Sequence, residues 1–394
     1  MKQSLMAGDR VTVAIDSVAY GGQGVGRVDG LVCFVPFTVD GDEAEVEIVT
    51  VRKNHRIGVL RGLIRESPAR VAPPCPYFGR CGGCHYQHIA ADHQLAVKEQ
   101  QVRETFERIG GLPDPPVRAV IPSPLTFHYR GKAEYHAEIT GDGGVTLGFR
   151  DVTNTAAVDI DACAVVDDSI NEACRRLRRR ISTGETVAQP RMTLWSGYDF
   201  AQASFITRRV GEIEFCVPYE GFFQANLSLL DRLVELVVAR CGPGRTNRIV
   251  DCYCGSGFFT LFLASRGSTV FGIERDGPSL ACARRNLKDN GISGARFFRG
   301  RVETVLEERF RGRDDAVDTV ILDPPRAGCA GAVLNTLVEL GPDRIVYVSC
   351  NPATQARDIR RLIEGGFLLK ELQPIDLFPQ TAHIETIALL ERCR

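Results

Sequence analysis

The feature that most constrains the fold is an alternation of strand and helix patterns that starts near residue 216. Short β-branched runs, such as TVFGIE and RIVYVSC, alternate with helix-length runs, such as SLACARRNLKDN and TQARDIRRLIEG. Alternation of this kind predicts a doubly wound α/β fold with a mainly parallel sheet. Such sheets bind ligands outside the carboxyl ends of their strands, so we expect the chemistry at that edge.

The amino-terminal part has a different pattern, made of short strands and glycine turns. RVTVAIDSVAY, LVCFVPF, AEVEIVTVRK and RIGVLRGLI are predicted as strands, and GGQGVGRVDG as a turn-rich connection. This pattern predicts an OB-like β-barrel over residues 1–66, a fold that commonly binds oligonucleotides. With a net charge of -1, an RNA partner would need local basic patches, and the helix NEACRRLRRRIS is either such a patch or a solvated face.

Residues 67–215 are predicted as a central α+β domain, and residues 216–394 as the sheet domain. The central domain includes a helix near residues 92–110 that can pack on the sheet domain. The apolar run FFTLFLA is far shorter than the roughly 20 residues needed to cross a bilayer, so we expect a cytoplasmic protein without a membrane partner. In a reducing compartment, fourteen cysteines favour metal ligands or a nucleophile over disulfides.

The loop DCYCGSGFF, residues 251–259, has the composition of a cofactor-binding turn. Gly255 and Gly257 allow close approach of the backbone to a ligand, and Glu274 ends the next strand, where it can bind ribose hydroxyls. Nicotinamide-dependent oxidoreductases and S-adenosylmethionine-dependent enzymes share this pattern, and a purely structural turn is a third reading. Thr260 replaces the third glycine of the dinucleotide motif, which favours the methyl donor.

Two later strands end in residues with reactive side chains. ILDPPRAGC places Asp323 before two prolines, and VSCNPAT places Cys350 where its strand stops. A small packing residue is the ordinary role of a cysteine. Cys350, however, lies at the edge where ligands of an α/β sheet bind, so it is a candidate nucleophile.

A second group of cysteines has the spacing of metal ligands. Cys75, Cys81 and Cys84 form a C-x5-C-x2-C pattern, and Cys163 follows far downstream in DIDAC. Four thiolates can hold either zinc or an iron–sulfur cluster, and His85 offers zinc a further ligand. The spacing alone leaves both metals open.

Taken together, GFFQAN, DCYCGSG, LDPPRAGC, VSCNPAT and HIET resemble the RNA uracil-5 methyltransferases, and the resemblance covers almost the whole chain. It implies a Rossmann-like class I methyltransferase domain, an amino-terminal TRAM domain and S-adenosylmethionine as methyl donor. It also implies Cys350 as the nucleophile and Glu385 as the catalytic base. The implied contacts to the methyl donor are Gln224, Tyr253, Glu274 and Asp323.

Members of this family that act on ribosomal RNA resemble this chain in carrying a barrel and four such cysteines. The resemblance therefore implies 23S ribosomal RNA as the substrate and a 4Fe-4S cluster rather than zinc on Cys75, Cys81, Cys84 and Cys163. Two alternatives stay open: a transfer-RNA uracil-5 methyltransferase, and a catalytically inactive, metal-stabilised RNA-binding or assembly factor. Phe258 and Arg301 stand where some members carry asparagine, which leaves those two cofactor contacts open.

Overall fold

The structure is a computed structural model that describes residues 5–141, 144–198, 204–242, 247–312 and 317–393. The chain divides into two compact units. Unit 1 comprises Met1–Gln101, Leu125–Phe200 and Phe378–His383, and unit 2 comprises Val102–Pro124, Ala201–Leu377 and Ile384–Arg394. The domain borders at 66/67 and 215/216 stay predictions. Within the described ranges, no helix is both long and apolar enough to pass through a bilayer.

Unit 1 contains the predicted amino-terminal barrel. Its strands are β1 (Arg10–Val18), β2 (Gln23–Val28), β3 (Leu31–Pro36), β4 (Glu43–Val51) and β5 (His55–Arg65). They close in the order β1-β2-β3-β5-β4. Alternate residues point inward, and Val13, Val35 and Val46 are fully buried in the interior. The barrel prediction is confirmed.

The glycine-rich segment GGQGVGRVDG was predicted as a connection, but most of it forms β2. A Cβ atom on Gly24 would stand 1.9 Å from Thr38 Oγ1, and one on Gly26 would stand 2.2 Å from the carbonyl oxygen of Ala14. These glycines are therefore needed where other parts of the barrel approach the strand closely. The turn prediction is wrong for this stretch.

A buried ion pair between Asp42 and Arg70 connects the barrel to the segment that follows it. The Asp42 carboxylate is 1% exposed and accepts hydrogen bonds from Val39 N at 2.8 Å and Ser67 N at 2.9 Å. Arg70 donates to both of its oxygens, at 3.1 and 2.6 Å. Burial by itself would raise the pKa of Asp42, but these hydrogen bonds outweigh it and lower the pKa.

After the barrel, the chain forms α1 (Ala91–Arg108) and a second sheet in unit 1. Val102 and Phe106, in the second half of α1, belong to the hydrophobic core of unit 2. The second sheet has the order β8-β7-β6-β9 and carries α2 (Asp168–Ser182). Its strands are β6 (Lys132–Ile139), β7 (Val145–Arg150), β8 (Ala157–Asp159) and β9 (Arg191–Trp195).

The arginine-rich helix predicted at NEACRRLRRRIS is α2, and one of its arginines is structural. Arg178 donates to the carbonyl oxygens of Val145 at 2.9 Å, Leu147 at 3.1 Å and Ile160 at 3.1 Å. It also forms a 2.7 Å ion pair with Asp159. Its guanidinium therefore closes the edge of the sheet and is not available to grip an RNA backbone.

Unit 2 contains a small sheet of β10 (Phe205–Val210) and β11 (Ile213–Pro218), followed by the main sheet. The sequence pattern also predicts a strand at AQASFIT, of which residues 201–203 lie outside the described residues. The main sheet comprises β12 (Arg248–Cys252), β13 (Thr269–Glu274), β14 (Ala295–Arg299), β15 (Thr319–Leu322), β16 (Arg344–Ser349), β17 (Phe367–Ile375) and β18 (Glu385–Arg392). Its helices are α3 (Leu230–Arg240), α4 (Phe258–Ser265), α5 (Gly277–Asp289), α6 (Val302–Phe310), α7 (Gly331–Leu340) and α8 (Pro352–Glu364).

The main sheet has the order β14-β13-β12-β15-β16-β18-β17, and its strands from β14 to β16 are parallel. The predicted α/β fold is confirmed, but β14, α6 and β17 were not predicted. β14 and β17 are the two outermost strands of the sheet, and outermost strands tolerate charged residues and proline. Those residues interrupt the apolar pattern in ARFFR and FLLKELQPI, so the strand pattern is weak there.

The strand β18 runs antiparallel to both of its neighbours, β16 and β17. Its first residue therefore lies at the same edge of the sheet as the last residue of β16. Because β12, β13 and β15 also end at this edge, the topology gathers the ends of several strands in one place.

Replacing Asp42 by Asn should destabilise the barrel by about 3 kcal/mol, because it leaves the Arg70 charge without its buried partner. Amide hydrogen exchange in β1 and β4 should then be about 100-fold faster than in the wild type at neutral pH. Because the pKa of Asp42 is lowered in the folded state, this difference should be complete above about pH 4 and shrink as the pH falls further.

The matched control is Asp40→Asn, which removes the charge from a partly exposed pair with His93 at 2.8 Å. A pair that water still reaches contributes at most about 1 kcal/mol, so exchange should change little. Equal effects of the two substitutions would contradict the importance of the Asp42–Arg70 pair.

Candidate active site

Cys350 and Glu385 lie side by side at the edge of the main sheet. β16 ends at Ser349, β18 begins at Glu385, and the antiparallel register pairs Ser349 with Thr386. Cys350 therefore leaves one strand where Glu385 enters its neighbour. The Thr386 hydroxyl donates to Gln355 Oε1 at 2.6 Å, which ties these strand ends to the buried face of α8.

A short cap fixes the direction of the chain after Cys350. The Asn351 side chain accepts a hydrogen bond from Ala353 N at 3.2 Å, so it serves as the N-cap of α8. Pro352 occupies the first turn, where its missing N–H costs nothing. The sequence NPA thus stops β16 and starts a helix immediately, leaving the Cys350 thiol at the sheet edge.

The electrostatic surroundings of Cys350 and Glu385 are coupled. The pKa of Cys350 is raised to about 11, first by burial and next by the charge of Glu385, although Arg326 opposes the rise. Burial and the charge of Asp323 raise the pKa of Glu385 well above its usual value, and Arg326 again lowers it. One arginine therefore opposes the effect of burial on both groups.

Arg326 is the site residue that the sequence reasoning missed. Its guanidinium hydrogen-bonds the Cys350 thiol. Its backbone carbonyl accepts hydrogen bonds from Asn351 Nδ2 at 3.0 Å and Thr354 Oγ1 at 3.2 Å, which fix its loop against α8. The signal was present in LDPPRAGC, because Arg326 follows the same stiff turn that carries Asp323.

A row of carboxyl groups follows the edge of the sheet from β13 to β18. Burial, and next the charge of Asp251, raise the pKa of the half-buried Asp323 to about 7. Asp251 lies fully buried in β12, and its pKa is raised to about 7 chiefly by burial, while hydrogen bonds from Thr260 oppose the rise and the charge of Glu274 adds to it. Each carboxyl group thus influences the next one along the edge.

The glycine loop between β12 and α4 has the backbone that its sequence predicted. Gly255 and Gly257 have φ angles of 54° and 85°, and a Cβ atom on Gly257 would approach Leu261 to 2.6 Å. Thr260, at the place of the missing third glycine, donates from its hydroxyl to Asp251 Oδ2 at 2.5 Å. This bond gives the threonine a structural role in the loop.

The loop leaves polar atoms ready for a ligand. Asp251 Oδ1 and Ser256 Oγ are buried and find no hydrogen-bond partner within the described part of the chain. The Glu274 carboxylate accepts from Gly255 N at 3.0 Å and from Asp276 N at 2.6 Å, and it retains further acceptor capacity. Buried polar atoms without partners are unusual in folded proteins, so this donor and acceptor set fits a polar ligand such as S-adenosylmethionine.

The other predicted cofactor residues lie in the same unit. Tyr253 occupies the glycine loop with a φ of 65°, and its hydroxyl contacts the thiol of Cys329. Burial raises the pKa of Tyr253. Gln224 is buried and lies in the segment of the chain that connects β11 to α3. It takes part in none of the contacts described above.

The two departures from the family pattern have structural explanations. Phe258 lies in an aromatic cluster, with ring centroids 5.4 Å from Phe223 and 5.8 Å from Phe215. Arg301 precedes α6 and pairs with Glu303 in the first turn of that helix. Phe258 therefore stabilises the core under the glycine loop, and Arg301 stabilises a helix start.

The four cysteines with ligand spacing come together in unit 1. Cys75, Cys81, Cys84 and Cys163 line one largely apolar cavity of about 50 Å³. The loop that carries three of them is held against β7 and the turn after it, since Gly82 N donates to the Arg150 carbonyl at 2.9 Å and Val152 N donates to the Arg80 carbonyl at 3.0 Å. The main chain of Cys163 is held by the Asn171 side chain, at 2.8 and 3.1 Å.

His85, considered as a zinc ligand, is not among the residues that line this cavity. Its Nδ1 instead lies 3.4 Å from the backbone N–H of Ala382. Among the residues that the structure describes, no group of three or more His, Cys, Asp or Glu side chains is arranged to hold a metal ion. The structure therefore brings the four thiols to one cavity.

Two family models match this chain. The model for tRNA (Uracil-5-)-methyltransferase matches residues 209–393, and the model for the TRAM domain matches residues 4–61. An uncharacterised RNA methyltransferase of Gloeobacter violaceus is 33% identical, over 99% of this chain and 98% of its own length. Another uncharacterised RNA methyltransferase, from Halalkalibacterium halodurans, is 30% identical over 97% of each chain.

A solved structure agrees with these matches. The Pyrococcus abyssi tRNA (uracil-54, C5)-methyltransferase, in complex with S-adenosyl-L-homocysteine, superposes with a TM-score of 0.74 at 28% identity. The match covers 96% of this chain and 100% of the archaeal one. The chain therefore belongs to the RNA uracil-5 methyltransferase family and is an S-adenosylmethionine-dependent enzyme with an amino-terminal TRAM domain.

Proposed function

We propose that this enzyme methylates carbon 5 of a uridine in 23S ribosomal RNA, with Cys350 as the nucleophile and Glu385 as the base. The observation that carries this proposal is the juxtaposition of the two residues at the ends of β16 and β18. Family membership excludes the nicotinamide-dependent oxidoreductase that the glycine loop alone would allow.

The reaction needs a nucleophile and a base because carbon 5 of uracil is too weak a nucleophile to take a methyl group unaided. The Cys350 thiolate adds to carbon 6, and the electron pair of the ring double bond moves to form an enolate. S-adenosylmethionine, when bound, would supply the electrophilic methyl group that carbon 5 takes up, and its sulfur would keep the electron pair of the broken carbon–sulfur bond. Glu385 then removes the carbon 5 proton, and the electron pair left behind re-forms the double bond and expels the Cys350 thiolate.

The charges around the two residues support these roles. Arg326 lowers the pKa of Cys350 against the effect of burial, so it favours the thiolate that attacks. Burial and Asp323 raise the pKa of Glu385, so its carboxylate has an increased affinity for the proton that it must accept. Arg326 is thus a third residue that we assign to the reaction.

We assign the methyl donor to the carboxyl edge of β12, β13 and β15. The residues that would hold it are Gln224, Tyr253, Glu274 and Asp323. The position of Glu274 at the end of β13 and the unpartnered atoms of Asp251 and Ser256 support this assignment. A sulfonium cation beside the carboxyl row would also offset the repulsion among these groups.

We further propose that Cys75, Cys81, Cys84 and Cys163 hold a 4Fe-4S cluster. The four thiols line one shared cavity, which supports a common ligand for them. The choice of a cluster over zinc rests on the resemblance to the ribosomal-RNA members of the family. The cluster would join the linker after the barrel to the second sheet of unit 1.

Transfer RNA is the second candidate substrate, and one observation favours it. The archaeal enzyme named for transfer RNA matches this chain along its full length, so it covers the barrel as well as the catalytic region. The presence of a barrel therefore does not separate the two substrates. The proposal for 23S ribosomal RNA rests on the four cysteines and on the family resemblance.

Replacing Glu385 by Gln should trap a covalent enzyme–RNA adduct. The amide cannot take the carbon 5 proton, so the Cys350 thiolate should add to carbon 6 and not be expelled. Cys350→Ala should form no adduct, although both variants should lose turnover by at least about 1,000-fold. Denaturing gels with labelled RNA would detect the adduct, and identical behaviour of the two variants would show that the assigned roles are wrong.

The same experiment distinguishes the candidate substrates when ribosomal and transfer RNA are mixed. Sequencing of the RNA in the Glu385→Gln adduct should return one 23S uridine. Recovery of transfer RNA would establish the second candidate instead. If the wild type transfers no labelled methyl group to either RNA, the inactive RNA-binding or assembly factor becomes the better interpretation.

In a plot of kcat/KM against pH, the rise that accompanies ionisation of Cys350 should occur about one pH unit higher when Arg326 is replaced by Met. The reason is that the cation that favours the Cys350 thiolate is lost. At neutral pH, kcat/KM should fall by at least about 10-fold. The control is Arg326→Lys, which keeps the charge, so kcat/KM should rise at nearly the same pH as in the wild type. If kcat/KM of the Met variant rises at the same pH as in the wild type, Arg326 does not influence the ionisation of Cys350.

Anaerobically purified protein should contain about four iron and four sulfide per chain. Cys84→Ser should lose both, because a ligand of the cluster is removed, whereas Cys174→Ala should keep both, since Cys174 lies in the core of the second sheet and outside the cavity. Metal and acid-labile sulfide analysis provides the measurement. Stoichiometric zinc without sulfide would overturn the cluster assignment.

A further inference from the structure

Two asparagines of α5 and its last turn hold the edge of β11 in the same way. Cys216 N donates to Asn286 Oδ1 at 2.7 Å, and Asn286 Nδ2 donates back to the Cys216 carbonyl at 3.0 Å. One turn later, Glu214 N donates to Asn290 Oδ1 at 2.9 Å, and Asn290 Nδ2 donates back to the Glu214 carbonyl at 2.7 Å. Each amide thus pairs with both backbone groups of one strand residue, as a neighbouring strand would.

The spacing of helix and strand explains why this pairing repeats. Residues four apart on a helix rise by about 6.0 Å, and residues two apart on a strand are separated by about 6.8 Å. Asn286 and Asn290 therefore reach Cys216 and Glu214, whose backbone groups point to the same edge of β11. The two asparagine side chains thus provide hydrogen-bond partners for backbone groups of β11 that the neighbouring strand β10 does not reach.

Asn286 differs from Asn290 in one contact. Its Nδ2 also donates to the carbonyl oxygen of Ser256 at 3.0 Å. Ser256 stands between the two glycines of the cofactor loop. The second donor of Asn290 instead returns to the carbonyl of Asn286, in its own helix, at 2.8 Å. Asn286 is 1% exposed, so the hydrogen bond to the loop is shielded from water.

This bond completes a set of three that fixes the glycine loop. Gly255 N donates to the Glu274 carboxylate at 3.0 Å, and Gly257 N donates to the Cys254 carbonyl at 2.8 Å. Ser256, between them, is held through its carbonyl by Asn286. The orientation of this carbonyl sets where the buried Ser256 hydroxyl and the adjacent peptide groups point, and these groups belong to the proposed cofactor site.

We propose that Asn286 is a positioning residue for the methyl donor, which holds the glycine loop in its binding conformation by anchoring Ser256 to β11. The inference rests on the proposed cofactor site. Without the amide, the Ser256 carbonyl loses its donor, and loop conformations that turn this carbonyl toward water gain in population. The cofactor would then have to select a less populated conformation and would bind more weakly.

The test compares Asn286→Ala with Asn290→Ala in the full-length enzyme. Both variants lose a two-point pairing to β11, but only the first loses the bond to Ser256. S-adenosylhomocysteine affinity, measured by calorimetry, should weaken by about 10- to 100-fold for Asn286→Ala and by less than about 3-fold for Asn290→Ala. The KM for S-adenosylmethionine should rise in the same ratio, whereas the KM for RNA should stay within about 2-fold in both.

A second variant and a second measurement separate positioning from a folding defect. Asn286→Asp keeps the shape and the acceptor for Cys216 N, but in its ionised form it donates to neither carbonyl, so it should also weaken binding. Amide hydrogen exchange across residues 253–259 should rise in both Asn286 variants and not in Asn290→Ala. Equal cofactor affinity in the two alanine variants, or unchanged exchange in the loop, would overturn the inference.

The wild-type protein distinguishes this inference from the proposed function. If the wild type binds S-adenosylhomocysteine and forms the Cys350 adduct, the cofactor site stands, and only the comparison of variants decides the role of Asn286. If the wild type binds no S-adenosylhomocysteine, the proposed cofactor site itself fails, and the role of Asn286 falls with it.

Discussion

The antiparallel pairing of β16 and β18 is the constraint on which the site depends. It places Glu385, the first residue of β18, beside Cys350, which follows the last residue of β16. A parallel β18 would carry Glu385 to the opposite edge of the sheet, about 25 Å away along eight residues. The strand that departs from the parallel arrangement is therefore the one that brings the proposed base to the proposed nucleophile.

The same topology creates an electrostatic problem. Strand ends that meet at one edge bring several carboxyl groups into a poorly solvated place, and the pKa values of Asp251, Asp323 and Glu385 are all raised there. Arg326 opposes the rise at Glu385, from a loop that two prolines stiffen. A cationic methyl donor suits such an edge, and the glycine loop is held ready beside it by Glu274 and Asn286.

The structure shows which sequence signals were reliable. Long alternating or periodic segments, such as those of β16 and α8, were predicted correctly because their apolar residues face a core on one side or both. The edge strands β14 and β17 were missed, since charges and a proline are tolerated where fewer neighbours pack. The helix α6 was also missed, because its nine residues give only a short periodic pattern. The glycines of β2 were mistaken for turn residues, although they serve close approach within a strand.

The sequence by itself determined the barrel, the α/β pattern and the residue types at the strand ends, because periodicity, turn chemistry and reactive side chains are local properties. It also pointed to Cys350, Glu385 and the four spaced cysteines, through motifs that match a known family. Only the tertiary structure decided which groups act on one another. Arg326 near Cys350 and Asn286 on the glycine loop are contacts across elements, and no local pattern encodes a distance between residues far apart in the chain.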